Sequence, residues 1–235
     1  TDRPSIAVSN LDEAGTGVPS PEGTAPDNLL TGSALISGTI SDDDGVDGAS
    51  IEVRFQSYDW GLGTFGAWGA WMPVDTSYAG VRTSGSWSHD AAFLGEGVHQ
   101  IQIRAVDTGF AAVLDPEYDD QDNFNWERIG QIAFAYDAAV PAAAFTGPAE
   151  GSFHNENFQL AGTASDANGV SSVEVDDGSG FAGAVFGAGT WTFDTTVDAG
   201  GADDGAATFT VRVTDRLGRT TEIDRDVTID ATDPP

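Results

Sequence analysis

The chain has 235 residues, 38 acidic side chains against 9 basic ones, and a formal net charge of −29. All 9 cations are arginine, lysine and cysteine are absent, and no run approaches the ~18 uncharged apolar residues of a membrane-crossing helix. Together these features exclude a phosphate-neutralising surface for nucleic acid, thiol or disulfide chemistry, and direct membrane insertion by a helix.

Such acidity fits a saline habitat, and it also attracts divalent cations. Hydrophobic residues make up 40 % of the chain, with 6 Trp and 13 Phe, enough to give each half a core. No basic and apolar leader opens the sequence at Thr1, so any export signal is expected outside it.

In chain order, Asp2-Arg3-Pro4 reads as a stiff acidic joint, because Pro fixes φ and cannot donate to a ladder. Ile36 to Val46 (ISGTISDDDGV) reads as a strand running into an acidic turn. Ile51, Val53 and Phe55 then alternate with Glu52 and Arg54, the period of a half-buried strand. Gly85-Ser86-Trp87-Ser88 follows, and then a strand with His99, Ile101, Ile103 and Ala105 on its apolar side, ending in Arg104-Ala105-Val106-Asp107. A second joint spans Asp137 to Pro141.

The same landmarks then return in the same order. Leu160 to Val170 (LAGTASDANGV) leads into Ser172-Val173-Glu174-Val175, then Gly189-Thr190-Trp191-Thr192, then Val211-Arg212-Val213-Thr214-Asp215, then a joint from Asp230 to Pro234. An ordered repeat of this kind predicts two modules, residues 1–137 and 138–235. Recurrence of the joint at the start, middle and end predicts a piece of a longer tandem array. About seven short alternating strands per module, with Gly, Asp and Asn in the turns, predict an all-β fold of two tandem Ig-like (Greek-key) antiparallel β-sandwiches.

The pattern P-x-x-G, [LI]-x-G-T-[AI]-S-D-x-x-G-V, a V-E-V strand, G-x-W and R-x-x-D resembles bacterial Ig-like repeats. Those repeats build the stalks of large surface adhesins and of secreted multi-domain proteins. The resemblance covers the second module almost wholly and the first in its core strands. It implies non-catalytic spacer or binding modules at the cell surface or outside the cell. Their partners would be neighbouring Ig-like modules of the same polypeptide, and calcium would stiffen the loops and joints.

Two insertions set the first module apart. The loop aspartate and the Trp are 45 residues apart there (Asp42 to Trp87) and 25 in the second (Asp166 to Trp191). The R-x-x-D aspartate and the joint are 30 residues apart (Asp107 to Asp137) against 15 (Asp215 to Asp230). The first insertion holds Trp60, Trp68 and Trp71 among glycines, a candidate platform for the apolar faces of an extracellular glycan; burial of the rings is the competing expectation. The second carries an acidic run over 114–123, dense in the hard oxygen ligands that suit Ca²⁺.

Neither an EF-hand nor a nonapeptide calcium repeat is present, so a Ca²⁺ site is expected to be assembled from separate loops. Its candidate ligands are Asp42, Asp44, Asp107 and Asp137, with Asp166, Asn168, Asp215 and Asp230. Turn stabilisation by the same residues is the competing expectation. Catalysis is not expected: His89, His99 and His154 are scattered, and no nucleophile elbow or phosphate loop appears.

Overall fold

The computed structural model describes residues 4–12, 27–106 and 126–232. The chain divides into two compact units, with the break between Ala138 and Ala139. Among the described residues, no helix is long and apolar enough to cross a membrane.

The first unit contains β1 (Ser5–Val8), β2 (Leu29–Thr31), β3 (Leu35–Asp47), β4 (Glu52–Asp59), β5 (Thr64–Phe65), β6 (Met72–Pro73), β7 (Asp75–Thr76), β8 (Val81–Asp90), β9 (Gly97–Val106) and β10 (Trp126–Asp137). One sheet runs β1-β3-β8-β7, and the other β2-β10-β9-β4-β5 with β6 also on β4. The second unit contains β11 (Ala142–Gly147), β12 (Ser152–His154), β13 (Gln159–Ser165), β14 (Val170–Asp176), β15 (Phe181–Gly183), β16 (Val185–Gly187), β17 (Thr190–Asp194), β18 (Gly205–Asp215) and β19 (Thr220–Ile229). Its sheets run β11-β13-β17-β16 and β12-β19-β18-β14-β15, the same order strand for strand. Setting aside the two- and three-residue edge pieces β5, β6, β7, β15 and β16 leaves seven principal strands among the described residues of each unit. The fold is therefore all-β and Ig-like.

Among the described residues, pairing is antiparallel with one exception in each unit: β2 lies parallel to β10, and β12 parallel to β19. Each of these is a three-residue segment by which the chain leaves its first sheet and joins the second before re-entering the first. The acidic stretch Ser41–Gly45 is a bulge inside β3 rather than a turn between strands. Pairing with β8 slips after Ser41 and resumes at Val46, opposite Arg82.

Alternation delivers the cores. Ile36, Ile40 and Trp87 from one sheet meet Val53, Phe55, Ile101, Ile103 and Phe134 from the other. Leu160 and Trp191 likewise meet Val173, Val175, Phe209, Val211 and Val213. Trp87 and Trp191 are 2 % and 1 % exposed and anchor the two interiors. Each indole lies across a glycine of the recurring G-T pair on the neighbouring strand. A Cβ at Gly38 would overlap the Ala7 carbonyl oxygen and the Trp87 ring, and one at Gly162 the Ala144 carbonyl oxygen and the Trp191 ring. The G-T motif is thus a packing device in which the missing side chain makes room for the Trp of the next strand.

Candidate cation site and aromatic face

In the second unit the loop between β13 and β14 is folded on itself. Asp166 Oδ1 accepts from the Asn168 amide at 2.7 Å, and Gly169 closes the loop at φ +86° with its N–H on the Asp166 carbonyl. Asn168 is thereby turned inward. It is 3 % exposed, and neither its amide oxygen nor its amide nitrogen has a hydrogen-bond partner. Asp215, at the end of β18, is fully buried, and its Oδ1 accepts from the amides of Leu217 at 2.7 Å and Arg219 at 3.0 Å. The two segments are tied by Arg216 N–H on Gly169 O at 2.9 Å and by the Ser171 hydroxyl on Asp215 O at 2.8 Å.

Asp166 and Asp215 each bring a carboxylate oxygen to within 4.8 Å of the other's. Two like charges at that separation, one of them out of water, need a cation or a proton between them. Oxygens bound to one Ca²⁺ at about 2.3–2.6 Å stand at most about twice that distance apart, so the spacing suits a shared ion. An amide oxygen such as that of Asn168 is a third ligand of the same hard type. Arg216 also bears on the charge here, since its guanidinium carbon lies 3.3 Å from where a Cβ on Gly169 would stand.

The other expected ligands fall in several places. Asp42 is half-buried in the β3 bulge, where its Oδ1 accepts from Gly45 N–H at 2.8 Å. Asp107, the Asp44 side chain and the acidic run 114–123 lie outside the described residues. Asp137 ends β10 and is fully buried, whereas Asp230 follows β19 and is exposed, with its N–H on His154 O at 2.9 Å.

A pair of contacts that sequence reasoning missed fixes the residue after each of these two aspartates. Ala138 N–H donates to Glu96 at 3.0 Å, and Ala231 N–H donates to Asp204 at 2.7 Å. Glu96 and Asp204 each precede the glycine that opens a long strand, so a carboxylate before Gly97 or Gly205 was the available signal. Asp204 also accepts from the Thr232 hydroxyl at 2.6 Å, and that bond holds its carboxyl below the usual carboxylate range.

Trp60, Trp68 and Trp71 are all half-buried and sit beside β4. Gly66 and Gly69 donate their N–H groups to Ser57 O and Phe55 O, which holds the Gly-rich segment along the strand. Trp68 and Trp71 lie against the Arg54 guanidinium at 5.1 and 4.5 Å, and Arg104 lies 4.2 Å from the Trp71 ring centre. Trp60 meets Tyr58 edge to face at 5.2 Å, and Tyr58 meets Phe65 at the same distance. The second unit also sets guanidinium groups on rings, Arg212 3.5 Å from the Phe181 ring centre and Arg225 4.6 Å from that of Phe145.

The histidines serve structure. His99 is buried, and its Nε2 donates to Gly95 O, which leaves Nδ1 to accept from the Ser57 hydroxyl; burial lowers its pKa. His89 stacks on Phe55, and His154 on Phe158.

Residues 141–211 match the family described as Bacterial Ig domain. No curated protein matches the chain. Similar solved structures include fibronectin(III)-like modules of CbhA from Clostridium thermocellum, at 13 % identity and TM-score 0.39 over 96 % of this chain and 94 % of that one. A tetra-tandem repeat from the extending region of a large adhesion protein aligns at 19 % identity and TM-score 0.40, over 98 % of this chain and 50 % of that one. The D1–D4 ectodomain fragment of ICAM-5 aligns at 11 % identity and TM-score 0.49, over 96 % and 53 %. The second unit, from Pro141 through most of β18, is thus similar to a bacterial Ig domain, and the first repeats its strand order.

Proposed function

We propose that the chain supplies non-catalytic spacer modules of a bacterial surface or secreted adhesin-like protein, and that calcium stiffens them. In this reading Asp166, Asn168 and Asp215 hold one Ca²⁺ within the second unit. Asp42, Asp44 and Asp107 form the equivalent set of the first unit, and the joint aspartates Asp137 and Asp230 are further candidate carboxylates. The observation that carries the reading is the unbonded, buried amide of Asn168 in the loop that Arg216 N–H ties, through Gly169 O, to the turn after the buried Asp215. A polar side chain left unsatisfied in an interior is destabilising by about 1–3 kcal/mol unless something coordinates it.

Isothermal titration of the chelator-treated chain with CaCl₂ tests this. Saturable binding that is lost in Asp215→Asn and weakened in Asn168→Ala is expected. Absence of binding would leave Arg216 as the cation that neutralises the loop.

A second reading, that the first unit binds carbohydrate, is favoured by the partial exposure of Trp60, Trp68 and Trp71, none of which fills the core. Retardation of the chain in polysaccharide-containing gels tests it, and migration unchanged by every polysaccharide would remove it.

A further inference from the structure

Resting on the calcium reading, we propose that Arg216 is a tethered cation that competes with Ca²⁺ for the site of Asp166, Asn168 and Asp215. It thereby sets the calcium concentration at which the second unit fills that site. Asp215 ends β18, and the chain turns through Arg216, Leu217, Gly218 and Arg219 into β19. Leu217 is fully buried with its N–H on Asp215 Oδ1, while Arg216 N–H is spent on Gly169 O at 2.9 Å. The backbone of Arg216 is therefore pinned against the loop that carries Asp166 and Asn168.

Its side chain is seated on that loop. The guanidinium carbon and Nε each lie 3.3 Å from where a Cβ on Gly169 would stand, so the missing side chain is what admits the cation. Arg216 is exposed all the same, and a rotation of its long stem carries the charge into water without opening the core. The repeat does not require an arginine at this place, since Thr108 follows the corresponding Asp107 of the first unit.

Charge makes the competition. Ionised Asp166 and Asp215 place two negative charges on oxygens within 4.8 Å of each other. One guanidinium offsets one of these charges. A Ca²⁺ among the same oxygens offsets both, and it repels the guanidinium. Arginine stays charged at every working pH, so the competition does not fade by proton loss. Ion entry therefore displaces a side chain that keeps the two carboxylates compatible until calcium arrives.

Isothermal titration of the chelator-treated whole chain with CaCl₂ tests the proposal, read on the binding that Asp215→Asn removes. Arg216→Gln is expected to tighten that binding about fivefold at low salt, the scale of one exposed charge pair, and the gap is expected to close towards about 1 M NaCl. Arg212→Gln makes the same charge change higher on β18 and is expected to stay within about twofold of the parent chain. In EDTA the second unit's midpoint is expected to fall in Arg216→Gln while its calcium-induced rise grows. Equal affinity and an equal rise in parent and Arg216→Gln would overturn the tethered cation and leave the calcium reading standing. Weaker binding with a smaller rise in Arg216→Gln, or equal tightening in Arg212→Gln, would likewise overturn it. Absence of saturable calcium binding from the parent and both arginine variants would overturn both.

Discussion

Replacing Gly162 by alanine adds one methyl group where the structure has no room for it. The new Cβ would overlap the carbonyl oxygen of Ala144 and the Cζ2–Cε2 edge of Trp191. Neither neighbour yields easily. Ala144 is held in the β11·β13 ladder opposite Thr163, and Trp191 is 1 % exposed and packed edge to face on Phe145 at 5.3 Å. Overpacking of this kind destabilises by about 1–3 kcal/mol. For a unit of this size each kcal/mol moves the midpoint by about 4–8 °C, so the second unit should melt about 10 °C lower. Scanning calorimetry of the whole chain reads this as a downward shift of one transition, and Gly38→Ala should move the other, since Gly38 meets Ala7 and Trp87 in the same way. Trp191→Phe in the Gly162→Ala background should recover only part of the loss, because the clash with Ala144 remains. Gly187→Ala is the control, as its Cβ would meet nothing within 4 Å. If Gly162→Ala melts within about 0.5 kcal/mol of that control, the account of the G-T motif is wrong.

Burial lowers the pKa of His99 below the ordinary imidazole value of 6.5, so acid should destabilise the first unit through this residue. The unfolded chain takes up the proton from about pH 6.5 downward while the native ring stays neutral until its lower pKa is reached, so stability falls across that window. An NMR titration placing the His99 midpoint at or above 6.5 would contradict this. Asp204 is also lowered, but because the Thr232 hydroxyl bond favours its charged form, so its contribution is present above the unfolded carboxylate pKa and is lost as pH falls through the lower folded value. Thr232→Val should return the Asp204 carboxyl towards the ordinary range by ¹³C titration, and an unmoved midpoint would show that the hydroxyl is not the cause.

Strand content and Ig-like class were legible because alternation at Ile51, Val53 and Phe55, and at Phe209, Val211 and Val213, is local and follows the pleat. The bulge at Ser41–Gly45 was not legible, since Ser-Asp-Asp-Asp-Gly has the composition of a loop and only the pairing of Val46 with Arg82 keeps it in β3. The parallel segments β2 and β12 span three residues each, too few for a period to show. The state of the tryptophans rests on Arg54 and Arg104, the latter 33 residues beyond Trp71 in the chain, and no local pattern announces a stack across strands. For the cation site, Asp166 and Asp215 stand out as residue types at recurring positions. The inward turn of the Asn168 amide depends on the φ of Gly169 and on packing against the Asp215 turn, which only the folded chain supplies.

Thermal melting of the chelator-treated chain, with and without CaCl₂ at matched ionic strength, tests the calcium-stiffened reading most directly. An ion bound only by the native state stabilises it by RT ln(1 + [L]/Kd), about 2.7 kcal/mol at a hundredfold excess over Kd. The account predicts a calcium-dependent rise of about 10 °C in the second unit's midpoint, absent from Asp166→Asn and Asp215→Asn. Coincident melting curves in calcium and in EDTA would contradict it.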